Sequence, residues 1–364
     1  MTFRNTLDAI KVYEAGKPIE LVVREFGIEP KDIVKLASNE NPYGCSPKVR
    51  EAVSAIVHKM ALYPDDSMHK LKAGLSGRFG VEPHEVIIGA GSDQVIEFAV
   101  HAKAGEGSKI LVNSITFAMY EIYAHHVGAD VIRTTSRHHD LDEFHALYLE
   151  HKPSIIFLCT PNNPTGDSID AAEVKAFLAK IDPETLVIVD GAYMEYTRYK
   201  DPSKALTPKE LIDAFDNVLY LGTFSKAYGL GGMRVGYGIA RRDIITALYK
   251  LRPPFNITTL SLEAAAVALE DEAFVQECIA KNFEEMARYE AFAESKGIRA
   301  IESYTNFVTL CLGDGANSSE VAGALLRQGM IVRDLAGYGL NAIRVTIGKP
   351  EENDRFFALA AELV

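Results

Sequence analysis

Short apolar runs alternate with segments of helical pattern between residues 45 and 250, and no other feature constrains the fold as strongly. Runs such as Ile-Leu-Val, Ile-Ile-Phe-Leu and Leu-Val-Ile-Val carry no polar side chain on either face. Strands of this composition are typical of a parallel sheet that is buried between two layers of helices. The alternation therefore predicts a large doubly wound α/β domain with some mixing of strand direction.

The pattern changes after about Pro253, where a long helical stretch, Leu260–Ser295, leads into short strands and helices. The strands predicted before this point are Glu85–Ile88, Lys109–Val112, Ile155–Cys159, Leu186–Val189 and Val218–Leu221, and the helices are Pro47–Met60, Met68–Phe79, Asp93–Ala102, Met119–His126 and Ala171–Lys180. The later elements are Phe307–Leu312, Ser319–Gln328, Ile343–Ile347 and Glu352–Leu363. The sequence thus predicts a large domain over residues 42–253. A smaller α+β domain, with an amino-terminal arm, comprises residues 1–41 and 254–364.

The composition argues against several classes of protein. The chain has 38 basic and 50 acidic residues, a net charge of −12, and such a surface repels nucleic acid and anionic lipid. It has no apolar run of about 18 residues and no signal-like amino terminus, so we expect no membrane span. The four cysteines are widely spaced, which predicts reduced cytoplasmic thiols and no metal site.

The most informative segment is Thr223-Phe-Ser-Lys-Ala-Tyr-Gly-Leu-Gly-Gly-Met-Arg234, which follows an apolar strand. Lys226 has no acid beside it, and a lysine that loses solvation more readily becomes a neutral, nucleophilic amine. Thr223, Ser225 and Arg234 add two hydroxyls and a permanent cation, which together can bind a phosphate. Taken alone, the segment is also compatible with a surface lysine in a glycine-rich loop.

Two strand ends add residues that suit a pyridine ring with a phenolic oxygen. Strand Leu186–Val189 runs into Asp190, at the edge where α/β sheets bind ligands. A buried carboxylate there can pair with a pyridinium nitrogen, and Tyr193 and Asn163 can share the ring oxygen. Singly, Asp190 can be a helix N-cap, and Asn163 can belong to an ordinary tight turn. Together with Lys226 they indicate pyridoxal 5'-phosphate, held as a Schiff base by the lysine.

A glycine-rich turn, Gly89-Ala-Gly-Ser-Asp-Gln94, joins a predicted strand to a helix. This arrangement resembles a dinucleotide fingerprint, so a nicotinamide-dependent oxidoreductase is an alternative. However, Gln94 replaces the third glycine, and Asn113 stands where an acid would bind the ribose. A simpler interpretation is that the backbone N–H groups of Ser92 and Asp93 bind a single phosphate at the helix N-terminus.

These segments, in this order, resemble the fold-type I pyridoxal-phosphate aminotransferases nearly from end to end. The resemblance implies that Phe117, in Thr116-Phe117, stacks on the pyridine ring, and that Asn41 belongs to the substrate-side loop Asn39–Gly44. It also implies a homodimer, in which Tyr63 reaches the cofactor phosphate of the partner subunit. The remaining residues at the family's cofactor positions are Asn163, Asp190, Tyr193, Thr223, Ser225, Lys226 and Arg234.

Within this family the chain is similar to the histidinol-phosphate aminotransferases at both ends. Tyr13-Glu-Ala-Gly-Lys-Pro resembles their amino-terminal arm, which contacts substrate, and the segments Ile331–Asp334 and Asn341–Gly348 resemble their carboxyl-terminal signature. The resemblance implies that Arg344 binds the α-carboxylate of glutamate and helps to bind the substrate phosphate, and that Arg333 is an additional phosphate ligand. The implied substrates are a phosphorylated amino alcohol and glutamate or 2-oxoglutarate. Either arginine can equally form a surface ion pair.

The resemblance further implies that Lys226, once released, moves the Cα proton while Asp190 keeps the ring protonated. The chain departs from the family at Ala90, Gln94 and Gly191, where asparagine, glutamate and glutamate are more common, but no catalytic group is lost. Three alternatives remain beside the oxidoreductase. They are an aromatic aminotransferase, a threonine-phosphate decarboxylase and a non-catalytic binding protein.

Overall fold

The computed structural model describes residues 5–10 and 19–364, and in this part of the chain the strands form three sheets. The strands are β1 (Val34–Lys35), β2 (Val86–Gly89), β3 (Lys109–Val112), β4 (Asp130–Arg133), β5 (Ile155–Cys159), β6 (Leu186–Asp190), β7 (Val218–Thr223), β8 (Gly236–Ala240), β9 (Arg299–Ile301), β10 (Phe307–Cys311), β11 (Met330–Ile331), β12 (Arg333–Asp334) and β13 (Ala342–Thr346). The helices are α1 (Ile19–Phe26), α2 (Pro47–Ile56), α3 (His69–Phe79), α4 (Gly91–Lys103), α5 (Met119–His126), α6 (Leu141–His151), α7 (Ala171–Leu178), α8 (Met194–Lys200), α9 (Pro208–Ala214), α10 (Arg242–Tyr249), α11 (Thr259–Glu270), α12 (Glu272–Ser295), α13 (Ser318–Arg327) and α14 (Pro350–Ala360). None of these helices is both long and apolar enough to cross a membrane.

The largest sheet has the strand order β2-β8-β7-β6-β5-β3-β4. All neighbouring pairs are parallel except those that involve β8, which runs opposite to β2 and β7. The prediction of a mostly parallel sheet with mixed strand direction is therefore confirmed. Because β5, β6 and β7 are parallel neighbours, the residues that follow them lie together at one edge.

Both faces of this sheet are covered, as its apolar strands predict. In β6, Leu186 and Ile188 pack into the core on one face, and Val187 and Val189 into the core on the other. A fully buried side chain of this size contributes about 1.5–3 kcal/mol relative to an exposed one. This rigid, dry sheet fixes the ends of its strands, from which the candidate site is built.

A four-stranded antiparallel sheet, in the order β12-β13-β10-β9, forms a second core with α12, α13 and α14. The short strand β1 pairs with β11 in a separate two-stranded sheet, and Val34 and Leu36 pack against this second core. The strands of the large sheet all lie between residues 86 and 240. The domain boundaries at residues 41 and 253 remain a prediction.

The predicted helical stretch over Leu260–Ser295 forms two helices in the structure, because Asp271 separates α11 from α12. The Asp271 backbone leaves the helical region at φ −109° and ψ 59°. Its carboxylate accepts hydrogen bonds from the Ser46 hydroxyl and the Lys48 ammonium group. These contacts with the start of α2 are tertiary, so the local helical pattern carries no sign of the break.

Candidate active site

One cavity lies at the edge of the large sheet where β5, β6 and β7 end. Ten of the residues predicted from the sequence line it, together with Gly91, Cys159 and Ala192. The ten are Ser92, Asp93, Phe117, Asn163, Asp190, Tyr193, Thr223, Ser225, Lys226 and Arg234. The large sheet thus brings together side chains that are up to 142 positions apart in the chain.

Lys226 follows β7 and is half-buried, with its ammonium group 3.3 Å from the carbonyl oxygen of Ser38. Burial, and after it the charge of the Arg344 guanidinium, lowers the pKa of Lys226 to about 8. An ordinary lysine has a pKa of about 10.4, so its amine is almost entirely protonated near neutral pH. Lys226 therefore supplies a larger fraction of neutral, nucleophilic amine.

Asp190 is the last residue of β6, and its carboxylate is buried at 4% exposure. Its Oδ1 accepts a hydrogen bond from the backbone N–H of Ala192 at 3.1 Å, and its Oδ2 accepts one from the Tyr120 hydroxyl at 2.7 Å. Burial raises the pKa of Asp190, while these hydrogen bonds lower it. Tyr120 was not predicted, because it lies on α5 and contacts Asp190 only in the folded chain.

Tyr193 is also buried, and its hydroxyl accepts a hydrogen bond from the side-chain amide of Asn39 at 2.9 Å. Asn39 has a left-handed backbone, at φ 55°, a conformation that asparagine adopts more readily than most residues. The sequence pointed instead to Asn41, whose amide donates to the carbonyl oxygen of Ala227 and which does not line the cavity. Asn163 accepts a hydrogen bond from Arg344 at 2.5 Å.

Arg234 approaches the N-terminus of α4, where its Nη2 lies 3.4 Å from the carbonyl oxygen of Ala90. A Cβ atom at Gly91 would lie 2.7 Å from that Nη2, so only glycine leaves room for the guanidinium. A Cβ at Gly236 would lie 2.0 Å from the backbone nitrogen of Ser92. The two glycines therefore bring a permanent cation next to free helix N–H groups, an arrangement that favours an anion.

We expect Gly236→Ala to destabilise the folded chain by about 3 kcal/mol, the upper part of the usual range for overpacking, because the new methyl group would overlap the backbone of Ser92 rather than a flexible side chain. Urea unfolding of the cofactor-free protein measures this loss. The matched control is Gly232→Ala, since a Cβ at Gly232 meets no atom within 4 Å. Equal unfolding midpoints for the two variants would contradict the prediction.

Arg333 and Arg344 lie directly opposite each other on β12 and β13, so their side chains project from the same face. Arg344 is buried at 8% exposure, and its Nη2 donates to the carbonyl oxygen of Ala37 at 2.7 Å. Like charges in such a pair repel, and an anion between them removes the repulsion. Neither arginine lines the cavity, although Arg344 contacts its wall through Asn163.

Two predicted residues lie apart from the cavity. Tyr63 is 83% exposed, and its ring stacks on Phe255 with the ring centres 4.7 Å apart. Tyr13 lies outside the residues that the structure describes.

Two departures from the family pattern have local explanations. Gln94 accepts hydrogen bonds from the Ala90 backbone and from Asn256, and a Cβ at Gly191 would lie 2.5 Å from the Tyr220 hydroxyl.

Comparison with known proteins agrees with this geometry. A family model described as aminotransferase class I and II matches residues 31–358. The chain is 67% identical to a histidinol-phosphate aminotransferase of Sulfurimonas denitrificans over 364 residues, all of both chains. It is 58% identical to one of Aliarcobacter butzleri, over 100% of this chain and 99% of that one.

Among solved structures, the chain is similar to a histidinol-phosphate aminotransferase of Sinorhizobium meliloti in complex with pyridoxal 5'-phosphate. The TM-score is 0.88 at 24% identity, over 99% of this chain and 96% of that one. This similarity confirms the predicted fold-type I architecture, and the family match overturns the oxidoreductase alternative. The chain belongs to the class I and II aminotransferases, and within that family to the histidinol-phosphate aminotransferases.

Proposed function

We propose that this aminotransferase binds pyridoxal 5'-phosphate in the cavity and converts histidinol phosphate and 2-oxoglutarate into imidazole-acetol phosphate and glutamate, a step of histidine biosynthesis. One observation carries the proposal. A lysine amine of lowered pKa, a buried carboxylate and an anion-binding helix N-terminus line the same cavity. The names of the most similar relatives support the substrate.

The donors and acceptors around the cavity fit each part of this cofactor. The phosphate would be held by Ser92 and Asp93 at the start of α4 together with Arg234, Thr223 and Ser225, and we call this set the phosphate cradle. Asp190 would pair with the ring nitrogen. Tyr193 and Asn163 would bind the ring oxygen, Phe117 would cover one face of the ring, and Lys226 would hold the aldehyde carbon. When bound, the cofactor supplies a conjugated ring that accepts electron density from the substrate.

The residues of this chain then divide the chemical work. The neutral amine of Lys226 would remove the proton from the substrate α-carbon as a base, and the ammonium group formed in this way would then return a proton as an acid. The Asp190 carboxylate would stabilise a positive charge on the ring nitrogen of the bound cofactor, which is a fixed electrostatic contribution. Arg344 would bind the carboxylate of glutamate, and Arg333 the phosphate of the other substrate.

The substrate is tested by assaying the cofactor-loaded protein for amino transfer from histidinol phosphate and from phenylalanine. We expect the higher kcat/KM with histidinol phosphate, since the paired arginines suit a dianionic phosphate. A preference for phenylalanine of more than about tenfold would favour an aromatic aminotransferase instead. Release of carbon dioxide from threonine phosphate would favour the decarboxylase.

We expect Arg333→Ala to raise the KM for histidinol phosphate by about 10- to 100-fold, because a charge-assisted contact with the phosphate is lost. The KM for glutamate, which has no phosphate, should change much less. Steady-state kinetics with each substrate measure the difference. Arg327→Ala, at an exposed position on α13, is the matched control. An equal rise for both substrates would show that Arg333 does not select the phosphate.

We further propose that the protein is a cytoplasmic homodimer. The exposed large apolar side chains support the dimer, because six of them lie in the two segments 57–63 and 251–255. They are Val57, Met60, Leu62, Tyr63, Leu251 and Phe255. An apolar surface of this kind marks a protein interface. Sedimentation should give the mass of two chains, and the mass of one chain would exclude the dimer. The free cysteines support a reducing compartment.

A further inference from the structure

We propose that Tyr120 is a positioning residue of this active site, which orients both the Asp190 carboxylate and the Phe117 ring toward the cofactor. The inference rests on the proposed function, since it gives Asp190 and Phe117 their roles at the pyridine ring. It adds a residue that lies outside the cavity lining and acts through two residues within it.

The hydroxyl of Tyr120 fixes one of the two carboxylate oxygens of Asp190. Tyr120 is fully buried on α5, and its hydroxyl donates to Oδ2 at 2.7 Å. The other oxygen accepts the backbone N–H of Ala192 at 3.1 Å. Each oxygen therefore has one donor from the protein, and the carboxylate cannot rotate without breaking a buried hydrogen bond. Its remaining lone pairs are available to a group in the cavity.

The ring of Tyr120 is itself held in place by two aromatic contacts. It stacks on Phe157 of β5, with ring centres 4.1 Å apart and planes 12° apart. It also meets Phe117 edge to face, with ring centres 5.6 Å apart and planes 83° apart. Both arrangements are favoured by the charge distribution of aromatic rings. One rigid side chain therefore contacts the two residues that would touch the nitrogen and the face of the pyridine ring.

Groups on α4, α5, β5 and the loop after β7 surround Asp190 and affect its ionisation. Burial raises its pKa, and the carboxylate of Asp93 on α4 raises it further. The Tyr120 hydroxyl and the Lys226 ammonium group lower it, and the Cys159 thiol of β5 lies beside it. Burial also raises the pKa of the Tyr120 phenol, so the hydroxyl stays protonated and remains a donor. Removing this hydroxyl alone leaves a less stabilised, more basic carboxylate.

Tyr120→Phe removes only the hydroxyl and keeps both ring contacts. In the cofactor-loaded variant we expect kcat for amino transfer to fall about tenfold or more, the cost of losing a hydrogen bond to a charged group. The KM for histidinol phosphate should not change, because Tyr120 does not line the cavity. The variant should bind the cofactor more weakly when the cofactor-free protein is titrated. The pH midpoint of the bound cofactor's absorbance change should also shift.

Tyr289→Phe is the matched control, because Tyr289 is also fully buried and its hydroxyl donates to Asn353 at 2.8 Å, far from the cavity. Both variants should lose some resistance to urea, but only Tyr120→Phe should change kcat and the pH midpoint. In an Asp190→Asn background, Tyr120→Phe should have little further effect, since the two residues act as one unit. Should Tyr120→Phe fail to fold, Phe157→Leu provides a second test. It removes the ring that stacks on Tyr120 and should also lower kcat.

The outcomes separate the two proposals. Failure of the wild-type chain to take up the cofactor would overturn the proposed function, and this inference with it. Normal uptake by the wild-type chain, with an unchanged kcat and pH midpoint in Tyr120→Phe, would overturn only the role of Tyr120. Full additivity of Tyr120→Phe with Asp190→Asn would also overturn it, because the hydroxyl would then act through another group.

Discussion

Lys226→Ala is expected to lower kcat for amino transfer by at least about 10³-fold, because Lys226 is the only amine among the described residues that line the cavity, and its loss removes the group that would shuttle the proton. The variant should still bind the cofactor through the phosphate cradle, but borohydride should no longer fix the cofactor to the chain. Single-turnover absorbance measurements with histidinol phosphate test the rate. Lys180→Ala, at an exposed position, is the control. Full covalent attachment in Lys226→Ala would refute the assignment.

The lowered pKa of Lys226 gives this prediction a pH dependence. The neutral amine is the reactive form, so the rate of cofactor attachment to the cofactor-free chain should rise with pH and level off above about 8. For an unperturbed lysine the rise would continue to about pH 10.4.

Mixed subunits provide a further check on the dimer. If Tyr63 completes the partner's site, inactive Lys226→Ala and impaired Tyr63→Phe chains should regain activity together, since one site of the mixed dimer is then intact.

Asp190→Asn is expected to lower kcat by about 10²-fold or more without destabilising the cofactor-free chain. The loss follows because a neutral amide no longer stabilises a positive charge on the ring nitrogen. Stability is retained because the amide can replace both hydrogen bonds: its oxygen accepts from Ala192, and its NH₂ donates to a reversed Tyr120 hydroxyl.

The raised pKa of Asp190 also predicts that Asp190→Asn does not destabilise the folded chain. Burial raises this pKa in the folded chain, so the folded state binds a proton more tightly than the unfolded state does. The ionised carboxylate therefore costs stability above its unfolded pKa, and this cost is relieved as the pH falls through the raised folded value. At neutral pH the asparagine variant removes that cost. Urea unfolding and kcat together test the prediction, and an unstable variant with normal kcat would contradict it.

The sequence predicted five of the seven strands of the large sheet, because those strands are largely apolar on both faces, a pattern that depends on local composition alone. It missed the edge strand β4, whose Asp130 and Arg133 are exposed, and it missed β8, since Gly236 and Gly238 weaken a strand pattern. Those glycines are explained only by tertiary contacts, such as the approach of Gly236 to Ser92. The break at Asp271 was missed for the same reason, because its partners Ser46 and Lys48 lie more than 220 residues away.

For the site too, the sequence predicted the residues that depend on a local pattern and missed those that depend on tertiary contacts. Residues at or shortly after strand ends, such as Asp190 and Lys226, were predictable because parallel strand ends share one edge. Tyr120 lies 70 residues from Asp190, and Asn39 lies 154 residues from Tyr193. No spacing rule connects such pairs. The roles of the site residues, including those the cavity brings together, remain predictions for the variants described above.

Strand β13 is tied to both residues that would bind the ring oxygen. Arg344 donates to Asn163, and two residues further along the Thr346 hydroxyl bonds to Asn39, which in turn holds Tyr193. A substitution on β13 that changes which substrate binds would therefore also disturb the two residues that would bind the ring oxygen. Divergence toward new amino donors should accumulate instead on Arg333 and the amino-terminal arm, and leave the Arg344–Thr346 segment unchanged.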